Sequence, residues 1–113
     1  MNLSTDRVGP AVVVRIAETK LTYQILSGFA DAVTALLGSG ERNVIIDLSQ
    51  VVYVDSATIG CLMDLYRQTD RLGGTLKLAG VQKRVETMLT MTGAHNFIEL
   101  HADESSALAS FGK

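Results

Sequence analysis

Asn43-Val44-Ile45-Ile46-Asp47-Leu48 and, two residues on, Val51-Val52-Tyr53-Val54-Asp55-Ser56-Ala57-Thr58-Ile59-Gly60 decide how this chain is read. The first block is apolar at consecutive rather than alternating positions, the pattern of a central strand covered on both faces. The second is an extended run that meets the start of a helix, because Asp and Ser are the residues that cap free N–H groups. A strand, a tight connection and a capped helix in that order are half of a βαβ unit.

The same alternation continues outward on both sides. Upstream, residues 1–5 are expected as a short edge strand, and the β-branched run of residues 11–17 follows the turn pair Gly9-Pro10 as a buried strand. From Thr22 onward, Leu26, Phe29, Ala30, Val33, Leu36 and Leu37 recur at helical spacing until Gly38-Ser39-Gly40 ends the helix. Downstream, Ile59, Leu62, Met63 and Tyr66 form an apolar stripe opposite Asp64, Arg67, Gln68 and Arg71, and Gly73-Gly74 closes that helix. Residues 75–79 then read as a strand. Residues 82–92 read as a helix with Val85, Met88 and Leu89 inward, capped by Gly93, and residues 97–101 as a last strand. Residues 105–111 fit a short terminal helix with Ser105 as its cap. The expected class is α/β: a mostly parallel sheet of four to five strands with three to four helices, joined by right-handed crossovers.

Composition narrows the function classes. A hydrophobic share of 47% against 19% charged residues, in 113 residues, suffices for the core of one domain spanning residues 1–113. The net charge of -2, with no basic run longer than Lys83-Arg84, argues against nucleic acid as a direct partner. The lone Cys61 cannot form an internal disulfide, and the polar first ten residues lack the apolar run of an export signal. A cytoplasmic location is therefore expected. Apolar stretches such as Ala11-Val12-Val13-Val14 are strand-sized, short of the roughly 20 residues of a membrane helix, so no membrane insertion is expected.

Asp55-Ser56 could serve the helix start alone, since either side chain can accept from the first-turn N–H groups. The same geometry suits a phosphate: the helix N-terminus presents free donors and partial positive charge to an anion on the Ser56 hydroxyl. Phosphorylation there would leave the helix intact and act on a docked partner by adding nearly two negative charges beside Asp55.

Around these residues the chain, from Val44 to about Phe111, resembles the STAS domain family, and within it the bacterial anti-sigma factor antagonists. The family pattern of a Val/Ile-rich strand ending in Asp, an aromatic, Asp-Ser and a Gly opening an amphipathic helix is matched by Asp47, Tyr53, Asp55, Ser56 and Gly60. Gly73-Gly74, Leu76, Leu78, Val85, Leu89 and Gly93 follow at the family's offsets. The resemblance implies that Ser56 is phosphorylated by an ATP-dependent serine kinase that doubles as an anti-sigma factor, and that a PP2C-type phosphatase restores it. It also implies that the unphosphorylated domain binds the kinase and frees the sigma factor. The expected partner surface comprises Tyr53, Asp55, Ser56, Ala57, Thr58, Asp64, Arg67 and Gln68. The family's common second Ser and following Gly are Ala57 and Thr58 here, which leaves Ser56 as the matching hydroxyl and Thr58 as a secondary acceptor. Its Gly-Glu-Leu-Asp-like segment is replaced by Ala17-Glu18-Thr19-Lys20-Leu21-Thr22.

Two other readings keep the α/β fold. One is a STAS scaffold or regulatory subunit, of a signalling complex or a membrane transporter, without a phosphorylation cycle. The other is a magnesium-dependent receiver centred on Asp47, which would need a pair of acids where residues 17–22 offer only Glu18. His95 and His101 lack partners at metal-ligand spacing, and Gly38-Ser39-Gly40 lacks the Lys-Ser/Thr of a nucleotide loop. No catalysis, metal or cofactor is expected. Cys61 is expected as small buried filler, and Met88 and Met91 as core filling.

Overall fold

A computed structural model describes residues 1–111; residues 112–113, at the end of the expected domain range, lie outside the described residues. β1 (Leu3–Val8) and β2 (Ala11–Ile16) form an antiparallel hairpin in which Val8 faces Ala11 across Gly9-Pro10. Gly9 has φ +60, the positive value that a two-residue hairpin demands at its first central position, and Pro10 fits the second. This hairpin makes β1 longer than the edge strand expected from sequence. The register then runs in parallel from β2 to β4 (Asn43–Asp47), β6 (Thr75–Ala79) and β7 (Glu99–His101), giving a five-stranded sheet ordered β1-β2-β4-β6-β7.

Between the strands lie α1 (Leu26–Gly38), α2 (Ser56–Arg71) and α3 (Lys83–Met91). Phe29, Val33, Leu62, Leu65, Val85 and Leu89 from these helices meet Val12, Val14, Val44, Ile46 and Leu78 of the sheet in the main core. The opposite sheet face packs through Ala11, Val13, Ile45 and Ala79 against Ala107 of α4 (Glu104–Ala109). Alanines at Ala11, Ala79 and Ala107 let a helix of under two turns approach the sheet closely. β4 is thus covered on both faces, as its continuous apolar run requires.

Several details depart from the expectations. α4 is capped by Asp103, whose carboxylate accepts from the Ser106 N–H at 2.8 Å, and not by Ser105. Met91 is 79% exposed and so fills no core, whereas Met88 packs against it. Phe97 precedes the last strand and is exposed beside Tyr66, their rings 6.1 Å apart. A second, two-stranded parallel ladder joins β3 (Lys20–Leu21) to β5 (Tyr53–Val54), which the sequence did not announce. That ladder positions the site.

Candidate functional site

β5 ends with Val54 buried, and Asp55 turns the chain in extended backbone (φ -104, ψ 177) to become the N-cap of α2. Its Oδ1 accepts from the Thr58 N–H at 3.0 Å, satisfying a first-turn donor. Its Oδ2 accepts from the Tyr23 N–H at 3.0 Å, across to the 3-10 turn Tyr23–Ile25 that leads into α1. One carboxylate therefore ties two helix entries together. Partial burial pushes the Asp55 carboxyl up, but hydrogen bonds from Tyr23 and Thr58 outweigh it and hold the group below its usual range.

Ser56 is the first residue of α2 and is exposed. Asp55 does the capping, and among the described residues no hydrogen bond uses the Ser56 hydroxyl. Thr58 fares differently: it is 0% exposed, and its single hydroxyl proton lies between the Leu21 carbonyl at 2.6 Å and Asp55 Oδ1 at 2.8 Å. Thr58 is thus corrected from a secondary phosphate acceptor and partner contact to a structural residue, since neither a kinase nor a partner reaches a fully buried oxygen.

The remaining expected surface residues divide. Ser56, Gly60 and Asp64 follow one another at four-residue intervals on one face of α2, and Arg67 continues it. Asp64 Oδ1 accepts from Arg67 at 3.0 Å on the open surface. Ala57 and Gln68 flank this row and are half-buried, with Gln68 Oε1 accepting from the Thr34 hydroxyl at 3.4 Å. Tyr53 is separate: it is 39% exposed and lies under the Arg84 guanidinium, 5.8 Å from the ring centre, towards α3.

A groove of about 640 Å³ runs beside this row, with Tyr23 and Gln24, which sequence reasoning missed, on the α1 side, and Cys61 and the expected Asp64 on the α2 side. Cys61 is half-buried on this groove and not sealed filler; burial and the Asp64 charge push its thiol up, away from nucleophilic character. No motif marked Tyr23, because its contribution is a backbone N–H. The burial of Thr58 was readable, since positions 58, 62, 65 and 69 continue one helical stripe.

Asp47, the receiver candidate, accepts from the Ser49 N–H at 2.8 Å and shares its surroundings with the Arg15 and Glu104 pair. Burial pushes its carboxyl up, but the Ser49 N–H and the Arg15 charge hold it below the usual range. The cation beside it is Arg15, bound to Glu104 through two N–H donors at 2.8 and 2.9 Å. Among the described residues no helix is long and apolar enough to cross a membrane.

A family model described as the STAS domain matches residues 2–107. A curated protein of Thermotoga neapolitana, whose name places it among candidate anti-sigma factor antagonists, is 26% identical over 72 residues, 64% of this chain and 64% of its own length. The match therefore spans less than two thirds of that relative. Among solved structures, an anti-sigma factor antagonist from Mycobacterium paratuberculosis superposes with TM-score 0.87 at 16% identity, covering 96% of this chain and 92% of that one. The Bacillus cell fate determinant SpoIIAA in its phosphorylated form gives TM-score 0.76 at 15% identity, over 98% and 100% of the two chains. At these identities the superpositions show a shared fold.

Proposed function

This chain belongs to the STAS domain family, and we propose that within it the protein is an anti-sigma factor antagonist, binding an anti-sigma factor that is also a serine kinase and switched by phosphorylation of Ser56. The observation that carries this reading is the exposed Ser56 hydroxyl at the first position of α2, relieved of capping by Asp55. A kinase can reach it, and the helix does not need it. A phosphate placed there meets the positive end of the helix dipole, so the helix survives modification. The relative solved in a phosphorylated form has the same fold, which is consistent with that tolerance.

The switch then acts at the interface. Phosphorylation adds about 1.5 to 2 negative charges beside the Asp55 carboxylate, and a partner surface that closes over Ser56 must either pair or desolvate them. The unphosphorylated form binds the anti-sigma kinase, the phosphorylated form releases it, and a PP2C-type phosphatase resets the cycle. Transcription is controlled with no contact to DNA.

Incubation with the cognate anti-sigma kinase and ATP, followed by peptide mass spectrometry, tests the assignment. One phosphate is expected on the peptide that contains Ser56 and none on the Ser56→Ala variant. Modification at another residue, with Ser56 untouched, overturns it.

A further inference from the structure

We infer that the groove between α1 and α2 is the anchor site for an amphipathic helix of the partner protein, one that presents apolar side chains together with a Lys or Arg about one turn away. This deepens the proposed function and rests on its premise that this face docks a protein. The groove, about 640 Å³, is large enough for several side chains, and a helix laid in a groove is a recurring way for one protein to hold another.

Its floor is apolar, made by Leu26, Ala30, Ala57 and Leu65, and over it Gly60 contributes no side chain. Gly60 lies inside α2 without a positive φ, and a Cβ built on it meets nothing within 4 Å. Neither backbone conformation nor close packing calls for glycine there, and glycine in a helix interior costs stability relative to alanine. What its missing side chain provides is an open groove.

Charge selects the occupant. Among the described residues the groove lining contains Asp64 and no Lys or Arg. The Asp64 side chain is 74% exposed and, among the described residues, engaged by Arg67 alone in a surface pair, an interaction weak enough to exchange for an incoming cation. Asp64 lies eight residues beyond Ser56, roughly 12 Å along the helix, which exceeds the screening length of about 8 Å at physiological salt. A phosphate on Ser56 therefore leaves the cation at Asp64 little affected. The apolar contact over Gly60, one turn from Ser56, would have to form against a dianion that needs its water, and there the phosphate opposes docking.

The test uses the full chain and three synthetic helical peptides: a leucine-faced peptide carrying Arg, the same peptide with Glu for Arg, and the same peptide with Ser for the leucines. Cys61, the only cysteine and a lining residue of the groove, reports occupancy through its iodoacetamide alkylation rate, and the Gly60 amide reports it by NMR. The Arg peptide is expected to slow alkylation and shift Gly60, the Glu peptide to bind about fivefold more weakly, and the Ser peptide to do neither. Gly60→Leu, which fills the groove while favouring the helix, is expected to weaken the Arg peptide about tenfold with the fold retained by circular dichroism. Equal effects of Arg and Glu peptides, no protection by any peptide, or concentration-dependent self-association that Gly60→Leu abolishes would each overturn the assignment. Since no kinase is involved, failure here is distinguishable from failure of Ser56 to be phosphorylated.

Discussion

α2 and α4 begin alike and end up with different tasks. Each opens on an aspartate whose carboxylate accepts the N–H three residues on, from Thr58 at 3.0 Å and from Ser106 at 2.8 Å. At α4, among the described residues, nothing further is attached to the capping group; the first helical residue, Glu104, is instead spent on Arg15. At α2 the arrangement is inverted: the cap itself reaches across to Tyr23, the third residue plunges into the core, and the first residue, Ser56, is left with no structural work. Identical cap chemistry thus yields a locked helix start with a spare hydroxyl in one place and a charge-paired start in the other. A modification site needs both halves of the first arrangement, because the hydroxyl must be free while the backbone that displays it stays fixed.

Removing the inter-element tie should break this contrast most. Asp55→Ala deletes a cap worth about 1 kcal/mol and a charged-group hydrogen bond to Tyr23 of about 1.5–3 kcal/mol. A loss of about 3 kcal/mol is expected in urea denaturation, with a visibly smaller loss for Asp103→Ala, whose carboxylate holds only its own helix. Thr58→Val keeps the shape but leaves the buried Leu21 carbonyl without its donor, at a cost of about 2 kcal/mol. Ser106→Ala, at the matching position of α4 where the residue is exposed, should stay within about 0.5 kcal/mol of the parent.

Acid sharpens the comparison further. The Asp55 and Asp103 carboxyls are both held below their usual range: Asp55 by Tyr23 and Thr58 against its own burial, Asp103 by the Ser106 N–H. A group depressed in the folded state stabilises fully above its unfolded pKa of about 3.9 and loses that contribution as pH falls through the folded value. Stability should therefore fade below about pH 4. Asp55→Asn should flatten that fall more than Asp103→Asn does. The smallest effect belongs to Ser56→Ala, expected within about 0.5 kcal/mol of the parent because the side chain makes no tertiary contact that the fold uses.

The strands that position this site were legible to different degrees. Residues 43–47 carry the continuous run Val44-Ile45-Ile46, residues 75–79 the alternating pair Leu76 and Leu78 around Lys77, and the sheet follows both. The β3–β5 ladder carries no such signal, since two residues per strand are too few for any periodicity, yet it sets Leu21 where the Thr58 hydroxyl can reach it. Asp55 and Ser56 are equally good caps by residue type. The choice between them rests on the Tyr23 N–H, a backbone group supplied 32 residues earlier, which no residue identity reveals. The same limit applied at α4, where Asp103 took the role expected of Ser105. The groove was hidden for a related reason: its walls come from two helices whose separation depends on the packing of Phe29 and Leu65 beneath them. What the sequence did contain was the Asp-Ser pair at a strand-to-helix junction and the helical stripe that buries Thr58.

The affinity of the cognate anti-sigma kinase for Ser56→Ala and Ser56→Asp, measured side by side by isothermal titration calorimetry, tests the switch most directly. Ser56→Ala should bind as the unphosphorylated parent does and Ser56→Asp at least about tenfold more weakly, a difference of about 1.4 kcal/mol. Indistinguishable affinities, with both variants folded, would contradict a role for charge at this hydroxyl.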